Sequence, residues 1–165
     1  MTAVCRWQLQ WLLVCPTLIW PLQVAAGPAD VAGADVEKIA EGVYVRPGRT
    51  AMLFEADNIA NAGFVIGERC VAVIDTGGSM AEGKALDAAI GNLTDVDVCF
   101  VINTHVHPDH MLGNAAFERD NVEFIGHEKL PRAMAMRGDT YRQLAAEYSG
   151  DAPQIVLPER TVGQT

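Results

Sequence analysis

An α/β fold is the class this sequence predicts, and three observations predict it. Short β-type segments separated by turn residues run from Val43 to Ile74, a capped and apolar-periodic helix follows, and a second apolar run leads straight into a cluster of histidines. A strand, a helix and a second buried strand make a βαβ unit, whose crossover rule sets the two strands parallel in one sheet. Their carboxyl ends then lie on the same side, at the sheet edge where α/β proteins place ligands.

The chain opens with a segment that stands apart. Arg6 is the only charged side chain before Asp30, and Trp11 to Trp20 is almost wholly apolar. This is the pattern of a signal peptide, with Val24, Ala25 and Ala26 as the small residues before a cut after Ala26. The apolar run falls short of the ~20 residues that cross a bilayer and contains Pro16 and Pro21, which argues against a retained anchor. Val14 before Cys15 argues against a lipoprotein. Residues 1–26 are therefore expected to leave, residues 27–35 to form a linker, and residues 36–165 to form one domain in the periplasm or outside the cell. No membrane contact is expected after removal.

Cleavage takes away Arg6 and no acid, leaving 11 basic and 21 acidic side chains and a net charge of −10. Such a surface repels nucleic acid, and no basic run contradicts this. The expected partner is a small-molecule substrate. With half of its residues apolar and a fifth charged, the composition is that of a globular protein.

Each element has its own justification. Val43–Val45, Met52–Glu55, Ala62–Ile66 and Cys70–Ile74 read as strands, closed by Gly67–Glu68 and by Asp75–Gly78. Ser79 is a helix cap, and Glu82 three residues later completes a capping box ahead of Ala85, Leu86, Ala89, Ile90 and Leu93 at helical spacing. Val98–Ile102 suits a strand buried on both faces and ends at Asn103. Leu112 and Ala115–Phe117 suggest a short helix, Val122–Ile125 a strand, and Leu130 to Tyr148 a longer helix or two. The tail holds Pro153, Pro158 and Gly163 and reads as extended, with no closing strand. If the runs begun by Cys70 and Cys99 pair as parallel strands, export would permit a disulfide. Two buried free thiols are the favoured alternative.

Three of the four histidines fall within Thr104-His105-Val106-His107-Pro108-Asp109-His110. Two histidines one residue apart at a strand end can reach one cation, and an Asp and a His just beyond can reach a second beside it. Imidazole and carboxylate donors suit zinc, whereas magnesium or calcium would call mainly for oxygen. Iron and manganese use the same ligand types. His127, alone at a strand end, reads as structural, and Met134, Met136, Tyr141 and Tyr148 as packing residues on a helix. Asp75 is either a turn acid or an organiser of the site.

The histidine segment resembles the His-x-His-x-Asp-His motif of the metallo-β-lactamase superfamily. Asp75 in Val73-Ile74-Asp75-Thr76-Gly77 resembles that family's first motif, and Gly113 the glycine after its second. The resemblance runs from about Val36 to the end of the chain. It implies the amino-terminal half of an αβ/βα four-layer sandwich with a mixed sheet, the second half being absent from this sequence. It further implies that His105 and His107 bind a first zinc and Asp109 and His110 a second. A water between the metals would be the nucleophile, with Asp109 as a catalytic residue that orients it, while Asp75 and Gly113 organise the metal loop. His105 to Phe117 looks most like the exported branch called quinoprotein relay system zinc metallohydrolases. The family's third His for the first metal, its bridging Asp and its last His come later in the chain and have no counterpart here. The expectation is a zinc hydrolase acting on a lactam, ester or thioester and represented by an incomplete chain. The alternative is a non-catalytic periplasmic metal-binding or interaction module.

Overall fold

The computed structural model describes residues 36–49, 59–150 and 152–163. The expected signal peptide, the expected linker and the strand expected at Met52–Glu55 lie outside the described residues. One seven-stranded sheet holds, in chain order, β1 (Glu37–Ala40), β2 (Val43–Arg46), β3 (Ala62–Ile66), β4 (Val71–Ile74), β5 (Val98–Asn103), β6 (Glu123–His127) and β7 (Arg160–Val162). β1 to β4 pair antiparallel and β4 to β7 pair parallel, so the sheet is mixed.

The βαβ unit forms as expected. Helix α1 (Met80–Gly91) joins β4 to β5, and Ser79 caps it by accepting a 3.1 Å hydrogen bond from Glu82 N. Leu86, Ala89 and Ile90, spaced three and one apart, bury the inner face of α1 against Phe64, Val73, Val101 and Phe124. These four side chains come from β3, β4, β5 and β6 in matching register, one row across the sheet. Burying each such side chain contributes about 1.5–3 kcal/mol. A second cluster brings Met111 and Leu112, at the end of the short helix α2 (Pro108–Met111), against Leu130, Met134 and Ala145 of α3 (Leu130–Ser149). No helix among the described residues is long and apolar enough to cross a membrane.

Four expectations change. The tail does supply a closing strand: β7 pairs with β6 through Ile125, Gly126 and His127. Cys70 and Cys99 are joined in a disulfide, with Cα atoms 5.5 Å apart, instead of being free thiols. The register between β4 and β5 moves on by one residue after Val98, so Cys99 is an extra residue there. That irregularity lets both Val98 and Val101 point into the core although they are three apart. Third, β5 is buried on one face only. Its other face continues the rows Val65–Ala72–Phe100 and Gly63–Ile74–Ile102–Ile125, none of which is fully buried. Fourth, Met134 is fully buried, as a packing residue should be, but Met136 is 73% exposed.

Candidate metal centre

Parallel pairing sets the ends of β4 and β5 side by side, and Asp75 leaves one as Thr104 leaves the other. Asp75 N donates to Ile102 O at 2.9 Å, which holds the turn against β5. Asp75 is the one non-glycine residue with a positive φ among the described residues, at 56°, a conformation aspartate adopts more readily than most side chains. The bend turns its carboxylate inward, where it is 3% exposed. Three hydrogen bonds converge on it: Thr104 N donates to Oδ1 at 2.8 Å, and the Thr104 hydroxyl and His110 Nδ1 both reach Oδ2 at 2.7 Å.

Counting protons assigns the histidine tautomers. A carboxylate donates nothing, so His110 must carry its hydrogen on Nδ1. Thr104 has a single hydroxyl hydrogen, and Asp75 takes it. The Thr104 oxygen therefore accepts from His105 Nδ1, 2.9 Å away. In its neutral form each imidazole then carries its lone pair on Nε2, the form in which histidine binds metals.

The rings lie together. His105 and His110 have centroids 4.0 Å apart, and His107 meets the edge of His105 at 4.7 Å. His110 Nε2 lies 3.3 Å from Asp109 Oδ2. Asp75, His105 and His110 each bring one donor atom within 4.8 Å of the others. His107 sits exposed at the rim. The donor set of imidazole and carboxylate fits a zinc-type cation.

The two inner histidines titrate in opposite directions. Partial burial lowers His105 below its ordinary value, helped by its histidine neighbours His110 and His107 against the opposing carboxylates. For His110 burial pulls the same way but is outweighed by the hydrogen bond to Asp75 and the charges of Asp75 and Asp109, so its value is raised. His105 is thus readily neutral, whereas a cation at His110 competes with a proton held between two carboxylates.

Beneath these residues lies a buried polar layer that the sequence did not single out. Asn103 and Asn114 exchange a reciprocal pair of amide hydrogen bonds, at 2.8 and 3.0 Å. Asn114 also accepts from the Thr76 hydroxyl at 2.8 Å and donates to Val156 O at 3.1 Å. The Glu82 carboxylate, besides its place in the cap of α1, reaches back to accept from Gly78 N at 2.6 Å. The capping-box spacing pointed to Glu82. Nothing local pointed to the asparagines, which are 11 residues apart.

The expected site residues come together with one exception of position. Asp75, His105, Asp109 and His110 form one contiguous group, and His107 joins it from the exposed side. Gly113 N donates to Gly77 O at 3.1 Å, and a Cβ on Gly113 would collide with the Thr76 carbonyl, so glycine is what lets the two loops touch. His127 takes no part: it lies exposed at the end of β6, where Nδ1 accepts from Lys129 N at 3.2 Å.

Comparison with known proteins identifies the family and the fold. Residues 56–163 match the family model described as the metallo-beta-lactamase superfamily. A metallo-beta-lactamase from Hirschia baltica superposes with a TM-score of 0.59 at 17% identity, covering 77% of this chain and 51% of that one. The metallo-beta-lactamase DIM-1 exposed to ceftazidime gives 0.58 at 13%, over 78% and 51%. FIM-1 from Pseudomonas aeruginosa in its mono-zinc form gives 0.55 at 16%, over 77% and 49%. The chain thus spans about half the length of the structures it resembles. No curated protein matches. Because the family model covers more than half of the sequence, the chain belongs to the metallo-beta-lactamase superfamily, and the solved structures share its fold.

Proposed function

We propose that this protein is a zinc-dependent hydrolase, with His105 and His107 as ligands of a first zinc and Asp109 and His110 as ligands of a second. The observation that carries the reading is the proton relay on Asp75, which leaves Nε2 of His105 and His110 free to coordinate. Asp75 also lies within reach of an ion, but both of its oxygens are engaged by Thr104 and His110, so it serves from behind the ligands. That zinc is the metal is supported by the donor chemistry and by the mono-zinc form of FIM-1. When bound, two such cations would supply Lewis acidity and lower the pKa of a water towards neutrality.

What the chain's own residues contribute is orientation. Thr104 and Asp75 fix the imidazoles, Gly113 lets the supporting loop approach, and the Asp109 carboxylate, 3.3 Å from His110 Nε2, would orient the attacking water. A lactam, ester or thioester of small size is the proposed substrate class. Catalysis of one such reaction by a fold does not choose among them. Export to the periplasm or beyond is part of the proposal and is supported by the Cys70–Cys99 disulfide, a bond that persists in oxidising compartments.

A second reading, a non-catalytic metal-binding module, draws on the ligand count. Among the described residues each cation receives two protein donors, whereas zinc takes about four ligands. Native mass spectrometry of the protein purified from its source separates the two. Two bound zincs, with hydrolysis that is lost in His107→Ala, supports the hydrolase. One weakly held metal or none, without turnover, supports the module.

A further inference from the structure

We infer that Asn114, through its pairing with Asn103, is a positioning residue for the metal ligands. This rests on the metal-binding reading above and deepens it. Asn114 is fully buried, and all four of its side-chain hydrogen-bonding positions are used. Its Oδ1 accepts from Thr76 Oγ1 and Asn103 Nδ2, and its Nδ2 donates to Asn103 Oδ1 and Val156 O. Four separate pieces of chain therefore meet at one amide: the turn after β4, the end of β5, the segment that follows the metal motif, and the tail before β7.

Those pieces include the ones that carry the ligands. Asn103 is the last residue of β5, two before His105, and its Nδ2 also approaches His110 O at 3.4 Å. Thr76 follows Asp75 and donates its backbone N–H to His110 O at 2.9 Å. The carbonyl of His110 is thus held by two of the three residues that Asn114 holds, Thr76 and Asn103. Displacing the amide shifts the His110 backbone against Asp75, and with it the direction of the His110 lone pair. Removing one group from a buried network of this kind leaves several partners unsatisfied.

The test uses the full-length protein with zinc and, as a spectroscopic probe, cobalt(II). Asn114→Ala removes all four bonds. Thr76→Val keeps the shape of its side chain and removes one of them, together with the longer 3.4 Å approach of the same hydroxyl to His110 O, and Thr76→Ser restores both. Val98→Ala, at the opposite end of β5, controls for loss of stability alone.

Asn114→Ala is expected to weaken zinc binding about 10–100-fold, the usual effect of losing an outer partner of a ligand, and to shift the visible cobalt spectrum. Thr76→Val should do so to a smaller extent, with recovery in Thr76→Ser. Val98→Ala should lower the melting temperature with affinity and spectrum unchanged. If Asn114→Ala fails to fold, the Thr76 pair decides. Parent-like affinity and spectrum in Thr76→Val, or an equal loss of affinity in Val98→Ala, overturns the inference while leaving the metal reading intact. A parent protein that binds neither ion overturns both.

Discussion

Replacing Asp75 by Asn changes one atom and should turn both inner histidines away from the metal. The backbone tolerates the change, since Asn accepts a φ of 56° as well as Asp does. Thr104 N–H requires an acceptor, so the amide oxygen takes the place of Oδ1 and the NH2 group takes that of Oδ2. This NH2 now donates where the carboxylate accepted. His110 Nδ1 must become an acceptor, which moves its proton to Nε2. The Thr104 hydroxyl, no longer donating to residue 75, donates instead to His105 Nδ1, and that ring also moves its proton to Nε2. Each histidine then presents N–H where it presented a lone pair.

Loss of an outer partner costs about 10–100-fold in metal affinity for one ligand. For two ligands the expected loss is roughly 10²–10⁴-fold, or about 2.7–5.5 kcal/mol. Competition against a chromophoric chelator measures the affinity, and long-range proton–nitrogen NMR of the metal-free protein reads the tautomers directly. Unchanged tautomers in Asp75→Asn refute the relay. Weakened binding with unchanged tautomers would instead make Asp75 a ligand in its own right.

Other expectations follow from the same geometry. His107→Ala should abolish zinc-dependent turnover in the full-length protein, and full activity in that variant would remove the proposed mechanism. Zinc affinity should climb as pH rises through the raised value of His110 and level off above it, because the metal displaces the Nε2 proton; a titration series from about pH 5.5 to 8.5 around the ordinary histidine value tests this. The sign reverses for stability of the metal-free protein. The contribution of the Asp75–His110 pair is full below the unfolded value and declines as pH rises through the folded one, which denaturant melts at several pH values will show. Reducing Cys70–Cys99, which spans a separation of 29 residues, should cost about 3.6 kcal/mol in chain entropy, read from denaturant midpoints with and without reductant. Gly113→Ala should destabilise by about 1–3 kcal/mol, because its Cβ meets the Thr76 carbonyl, and melting measurements on the purified variant check it.

Much of this arrangement is legible before folding. The cap at Ser79, the periodicity after it and the apolar run from Val98 are local patterns, and together they determine the βαβ unit and the shared edge of Asp75 and His105. What escaped depends on pairing. β1 and β7 are short and largely exposed, so neither shows the alternation of a half-buried strand, and only their neighbours make them strands. The disulfide depends on the extra residue at Cys99, which nothing in the sequence announces. The second face of β5 is apolar in sequence yet only half-buried, because periodicity records what a strand can bury and not what covers it. Asn103 and Asn114 look like ordinary polar residues at the ends of elements. Their value comes from meeting each other.

Strand order across the sheet repeats strand order along the chain. Among the described residues no strand has to slip between two that have already paired, so a chain delivered amino-terminus first can extend the sheet at its growing edge as each segment arrives. Oxidation of Cys70 and Cys99 can seal the first parallel pair before β6 has emerged. In the folded sheet β5 sets Thr104 and His110 beside Asp75, so the pairing that closes the first crossover also creates the metal-binding turn.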